Sequence, residues 1–579
     1  MRVLATGLYL WGDQAQLALY ASQCGHEVRT LAMEGEADYH FEAKESAVDV
    51  VARIGAEWMP DLLLCGTPEM TPPPLAIEAC PIRTVAFVSD WNLHHPQLEC
   101  NLARFDMVLM DKSGIQDLRL QGDPNLYFQP IYSHRSLIHR PLGLERDIDI
   151  LFLGNLNHAI HRERGACVEV MAALSDDCHA VIDSEVPPEE YARLMNRARI
   201  VLNYAVRHEM NLRAYEAPAC GALLFLEDEN LEVGDFLAEG REVVLYNCDN
   251  LVEKLTYYLA HEEEGRRIAE AGQRKIEGLA AEKRLDALFN WIEGQAMGAR
   301  RFKLLPELQR AEAEVLFYSN SGLIAENPAL AAAKSLMALD ENRLAAHLAA
   351  AMLAYSMGKR SAPAERDVIG QKALAHFKRA AELAPENGVC WMNLALVLEK
   401  TDNRDAERQC LAMVMACTAV DGGGFLLGKT MDPYFAQWRL ALALGKTKPG
   451  MLHAQAAARL AQIAMQEERF EDAWNLARRS ISLAPEIGIP YRIAGQAARL
   501  LGRKEEALAM FREGLAHTSL DGPYRMDLVS LLRELGHRSE ARALALQSRR
   551  IFQACVAHQE RAREFADMLE RIDSEQASM

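Results

Sequence analysis

The chain has 579 residues, half of them hydrophobic, so it has room for several domains with large cores. Lys plus Arg number 63 against 82 Asp plus Glu, a net charge of −19, which excludes a nucleic-acid backbone as main partner but not a local cationic pocket for one diphosphate. The twelve cysteines form no CxxC pair, no run of about 18 apolar residues occurs, and the first apolar stretch is interrupted too early for a signal peptide, so a cytoplasmic protein without stable membrane insertion is expected.

In chain order, Arg2–Thr6 is expected as a strand ending at Gly7, followed by a helix over 14–23 and a strand Glu27–Ala32. Further strands are expected at Asp61–Cys65, at Thr84–Val88 before Ser89-Asp90, and at Met107–Met110 before Asp111. Short apolar strands alternating with helices predict a parallel sheet covered on both faces, with ligands at the carboxyl ends of its strands. A second α/β unit opens with Ile148–Leu153 and Gly154-Asn155. It continues through strands at Ala180–Ile182, Ile200–Asn203, Leu223–Leu226 and Val243–Tyr246, then helices near 251–261, 262–277 and 283–292.

Beyond about 300 the strand signals stop and Ala- and Leu-rich helices follow. Ala473, Ala507 and Ala541 stand 34 residues apart, as do Gly502 and Gly536, and Ala477, Phe511 and Ala545. Ala373, Phe377, Ala380 and Pro385 repeat the mutual spacing of Ala473, Ala477, Ser480 and Pro485. The period resembles that of the tetratricopeptide repeat, a pair of antiparallel helices stacked on the next pair. Four to six repeats are expected, interrupted between 410 and 455 by Gly422-Gly423-Gly424 and Lys446–Gly450. The expected domains are thus 1–147, 148–299 and 300–579.

The densest candidate site is Asn203-Tyr204 followed by Asn211 to Gly221. A helix starting there puts Arg213 and Glu216 three residues apart on one face, beside free N–H groups suited to a diphosphate. A surface ion pair is the alternative reading. In the first α/β unit, Asp90 and His94 follow an apolar strand and are candidates to accept a proton from an acceptor hydroxyl, with His95 nearby; a helix-capping Asp and a polar loop are the alternative. Gly7 and Gly12 can line a cleft or make tight turns. Asp147-Ile148-Asp149 spells DxD but precedes its strand, at the wrong edge for a metal site. Cys220 reads as a packed thiol, and no Walker A, HExxH or G-x-S-x-G motif is present.

The stretch Arg213, Tyr215, Glu216, Ala217, Ala219, Cys220 and Gly221 resembles the nucleotide-sugar site of GT-B glycosyltransferases, in particular the group related to the CgeB spore-maturation proteins. The resemblance covers about 148–275. With the repeat period it gives an expected fold of two Rossmann-like lobes followed by an α-solenoid of repeats, and it implies the acceptor on the first lobe and the donor on the second. It places Glu216 on the nucleotide ribose and Arg213 near the diphosphate. Gly154 and Asn155 would form the phosphate-side turn, with Arg164 and Arg162 supplying further charge and Asn203 and Asn211 flanking the donor. Pro218 departs from the pattern, so the helix is expected to start late or kink. Glu209 lies seven residues before Glu216, not eight, and takes no donor role.

The implied reaction moves a sugar from a nucleotide-sugar co-substrate, without metal or resident cofactor, to a protein acceptor on the repeats, such as flagellin or another surface protein modified on Ser or Thr. A glycan or lipid-linked acceptor, and a non-catalytic repeat scaffold on a degenerate transferase fold, are the alternatives.

Overall fold

The computed structural model describes residues 1–7, 14–42, 44–94, 98, 101–117, 125–129, 132–156, 162–184, 186–296, 300–320, 326–360, 363–399, 403–419, 449–518 and 520–577. Gly12, His95 and Gly422-Gly423-Gly424 lie outside these residues, as do the side chain of Arg162 and most of Lys446–Gly450.

Seven strands make the first sheet: β1 (Arg2–Gly7), β2 (Glu27–Ala32), β3 (Tyr39–His40), β4 (Leu62–Gly66), β5 (Arg83–Phe87), β6 (Met107–Met110) and β7 (Leu126–Phe128). Their order is β3-β2-β1-β4-β5-β6-β7. Every pairing is parallel. Val3, Leu4 and Ala5 of β1 and Leu63 and Leu64 of β4 are fully buried, as central parallel strands require. Gly7 closes β1 at φ +92, and a Cβ there would stand 2.0 Å from the Gly66 carbonyl oxygen, so only glycine fits.

The second sheet holds β8 (Ile148–Leu153), β9 (Ala180–Asp183), β10 (Ala198–Leu202), β11 (Leu223–Glu227) and β12 (Val244–Tyr246), in the order β12-β11-β10-β8-β9. These strands are also all parallel. Strand order reverses between β10 and β8. In open α/β sheets the carboxyl ends of strands flanking such a reversal form the ligand crevice. Gly154 and Asn203, the residues after these two strands, are therefore neighbours at that crevice.

The chain forms two compact units. One contains the seven-stranded sheet and the helices from Ala281 to Ala416; the other contains the five-stranded sheet and the helices from Phe470 onward. The helical region expected as one domain over 300–579 is thus divided. The helix Ala281–Gly294, expected within 148–299, belongs to the first unit. Backbone bridging of His134 with Ala280 and a 3.1 Å contact of His26 Nε2 with Asp286 Oδ1 hold it there.

In the second unit, helices begin at Phe470, Lys504 and Arg538, again 34 residues apart. Ala473, Ala507 and Ala541 are fully buried, because the small side chain lets neighbouring helices approach. Gly502 and Gly536 end the helices Gly488–Leu500 and Gly522–Glu534 with φ +77 and +78, the left-handed turn glycine adopts without strain. The helix Arg538–Ala554 also joins the α/β part of this unit. Its Ile551 and Ala554, with Cys555, share one core with Ile150, Phe152, Val168 and Ile182. The fold is parallel-sheet α/β of the Rossmann kind, with an all-helical C-terminal region resembling tetratricopeptide repeats.

Candidate functional site

The helix Leu212–Ala219 starts where the sequence places Asn211. The Asn211 carboxamide oxygen accepts from the Ala214 N–H at 3.3 Å, capping the helix. Pro218 lies inside this helix, in its last turn, so the late start expected from it is not seen. The side chain of Arg213 turns to the carboxyl end of β10, where its Nη1 donates to Asn203 Oδ1 at 2.6 Å. Asn211 Nδ2 donates to the same oxygen at 3.1 Å. Asn203 is fixed in turn by the Tyr246 hydroxyl, which donates to its carbonyl at 2.7 Å.

The Arg213 guanidinium lies 4.7 Å from the centroid of the Phe152 ring. A Cβ on Gly154 would stand 2.2 Å from Arg213 Nη2, so the missing side chain makes room for the cation. Arg164, in the first turn of the helix Arg162–Ala172, donates to the Tyr204 carbonyl at 3.1 Å and to the Asn155 carbonyl at 3.3 Å. Burial, and then the charge of Arg213, push its pKa down to about 10. Two buried guanidiniums thus stand close together on neutral acceptors. Among the described residues, Arg213 Nε and Asn203 Nδ2 have no hydrogen-bond partner although both are buried. Such a cluster favours an anion with several acceptor oxygens.

Glu216 is buried on the same helix as Arg213. His139 Nε2 lies 3.5 Å from its Oε1. Tyr191, on the helix Pro188–Arg197, interacts with both Arg213 and Glu216; burial, then Glu216, raise its hydroxyl pKa. Gly154, Asn155, Arg164, Asn203, Asn211, Arg213 and Glu216 therefore come together in one unit. Glu209 instead pairs with Arg207 at 3.0 Å. Cys220 is fully buried and its thiol is pushed up to about 12, first by burial and then by Glu216, so it is no nucleophile. The DxD carboxylates are occupied at the opposite end of β8: Asp147 binds Arg197 at 2.6 Å and Asp149 binds Arg199 at 2.7 Å.

Asp90 and His94 lie in the first unit. Asp90 is half-buried and precedes the turn Trp91–Leu93 without capping it through its side chain, whereas His94 is only 4% exposed. Glu69, in the turn that follows β4, organises this loop. Its Oε1 accepts from the Ser89 N–H at 2.8 Å, the Ser89 hydroxyl at 3.0 Å and the Asp90 N–H at 3.0 Å. Burial raises its pKa to about 7. Sequence reasoning missed Glu69 and Tyr191 and gave His139 no role. The one available signal was position: Glu69 follows a parallel strand, as Asp90 does.

Residues 135–290 match the model of a family described as glycosyl transferase-like. No curated protein matches the chain. Sucrose-phosphate synthase from Thermosynechococcus elongatus is 11% identical over 51% of this chain and 98% of its own, with a TM-score of 0.38. WaaG, a glycosyltransferase involved in lipopolysaccharide biosynthesis, is 12% identical over 51% of this chain and all of its own, at 0.34. PilF of Pseudomonas aeruginosa is 11% identical over 45% of this chain and 99% of its own, at 0.32. The fold is read from the strand order itself. The family match marks residues 135–290 as glycosyltransferase-like.

Proposed function

We propose that the protein is a GT-B glycosyltransferase of the CgeB-related group, moving a sugar from a nucleotide-sugar donor to a protein acceptor. One observation supports it above all: Arg164 and Arg213, both buried, stand together on neutral acceptors at the switch point, beside the space left by Gly154. In this reading Arg213 and Arg164 bind the diphosphate, Gly154 and Asn155 let it approach the backbone, and Asn203 and Asn211 hold Arg213 in place. Glu216 accepts from the ribose hydroxyls. As the bond to the sugar breaks, the negative charge gathering on the leaving diphosphate meets two cations already in position. Neither a metal nor a resident cofactor is required for that step.

On the acceptor side, the Asp90 carboxylate takes the proton of the attacking hydroxyl. His94, on the same loop, is as buried as Glu216 and is the second group proposed to take that proton. Repeated helical hairpins suit an extended polypeptide. The acceptor proposed is a Ser or Thr of a surface protein, with flagellin as the type, modified in the cytoplasm of a bacterium before export.

The test is a thermal-shift series with UDP, GDP, CDP and dTDP in metal-free buffer, on the wild type and Glu216→Ala. A nucleotide at about 100 times its dissociation constant stabilises the native state by about 2.7 kcal/mol. One nucleotide raising the wild-type midpoint, and raising the variant's less, is the expected result. No shift at millimolar concentration would overturn the donor site and favour a scaffold built on a transferase fold.

A further inference from the structure

A cavity of about 490 Å³ opens at the carboxyl ends of β8 and β9, lined by Gly154, Asn155, Asp183, Ser184, Tyr191 and His558 among others. Small-molecule sites generally span about 300–1,000 Å³. Of these six residues, five come from the α/β part of the unit, and His558 comes from the helical region. It ends the short turn Val556–His558 that follows the helix Arg538–Ala554.

This turn is anchored. Cys555 bridges Ile182 in parallel, one residue before Asp183. The His558 N–H donates to the Cys555 carbonyl at 3.1 Å, and the imidazole meets the Phe552 ring edge-on at 6.1 Å between centroids. Behind the turn, Arg550 Nε binds Asp176 at 2.6 Å, and the Ser175 hydroxyl donates to the Arg550 carbonyl at 2.9 Å. Arg525 Nη2 reaches Glu169 at 2.9 Å, on the same helix that carries Arg164. The helical region is therefore fastened to the elements that build the anion site, and His558 is held at the cavity.

Tyr191 lines this cavity and also interacts with Arg213 and Glu216, so the cavity adjoins the groups read above as diphosphate and ribose contacts. The remaining part of a nucleotide next to its ribose is the base. Leu153, Leu156, Val186 and the Tyr191 ring supply apolar walls, and the imidazole supplies a flat one. Resting on the donor reading, we propose that this cavity takes the nucleobase and that His558 packs its ring against it. A residue of the helical region is then a nucleotide-binding residue, and the repeats take part in donor recognition as well as acceptor recruitment.

The test titrates UDP, GDP, CDP, dTDP and inorganic pyrophosphate calorimetrically into the full chain, as wild type, His558→Ala and His558→Phe. His558 is exposed, so neither variant should impair folding, which the melting temperature checks. Loss of one stacking contact is expected to weaken the preferred nucleoside diphosphate about ten-fold in His558→Ala. His558→Phe should recover most of that loss, and pyrophosphate should bind all three proteins equally. Equal nucleotide affinity in wild type and His558→Ala would overturn the proposal while leaving the donor site standing. So would an equal loss for pyrophosphate. A wild type that binds none of the nucleotides would overturn the donor reading itself, and this proposal with it.

Discussion

Arg104 in the first unit and the Arg164–Arg213 pair in the second are all buried, but their hydrogen-bond acceptors differ in kind. Arg104 donates twice to Glu78, at 2.8 and 2.9 Å, has Glu314 at 3.7 Å, and lies 4.7 Å from the Phe302 ring centroid. Burial lowers its pKa, yet Tyr318, Glu78 and Glu314 outweigh burial and the net shift is upward. Arg164 shifts the other way, to about 10, because burial and then the charge of Arg213 outweigh the opposing pull of Glu209 and Glu227. A buried arginine closed off by carboxylates is part of the scaffold. On the donor reading proposed above, a buried pair whose hydrogen bonds go to carbonyls and an amide is the one that meets a ligand.

That contrast can be broken by mutation. Arg104→Met should cost the most stability, about 3–5 kcal/mol, because it strands the buried Glu78 carboxylate. A lower midpoint in chemical denaturation checks it. Glu69 comes next. Its folded pKa of about 7 lies above the ordinary carboxylate value of 4.5, so its favourable contribution is complete below pH 4.5 and is lost as pH rises to 7. Glu69→Gln should therefore remove a pH-dependent loss of about 3 kcal/mol across that window, read from denaturation midpoints at successive pH values.

Gly154→Ala sharpens the contrast from the ligand side. The added methyl displaces the Arg213 guanidinium from Asn203 and Phe152 and strains a backbone held at φ +157, so nucleotide affinity should fall by about 1 kcal/mol and the melting temperature should fall with it. The smallest stability effect is expected for Arg213→Met. Relieving the repulsion on Arg164 should leave the melting temperature unchanged or slightly raised, the opposite of Arg104→Met. A fall as large as that of Arg104→Met would make Arg213 a scaffold residue too.

Much of this was legible in local sequence. The apolar strands, the glycine after β8 and the 34-residue alanine period each follow from rules acting over a few residues. Arg213 and Glu216 were readable as a helix face. What escaped depends on contacts made across long separations. Glu69 is coupled to Ser89, 20 residues on, and Glu169 meets Arg525, 356 residues on. Neither residue type nor spacing announces such pairs. The place of the helix Ala281–Gly294 was not legible for the same reason: its periodicity is that of any amphipathic helix, and only packing groups it with the first unit.

The central claim is that the buried arginine pair in the second unit is a diphosphate site. The most direct measurement is calorimetric titration of UDP, GDP, CDP and dTDP into the wild type and Arg213→Met in metal-free buffer. The account predicts that one of them binds the wild type, and that the variant, with its fold intact, binds it about 10- to 100-fold more weakly, the worth of a charge-assisted hydrogen bond. Equal affinity in the two proteins, or no binding to the wild type at millimolar concentration, would contradict it.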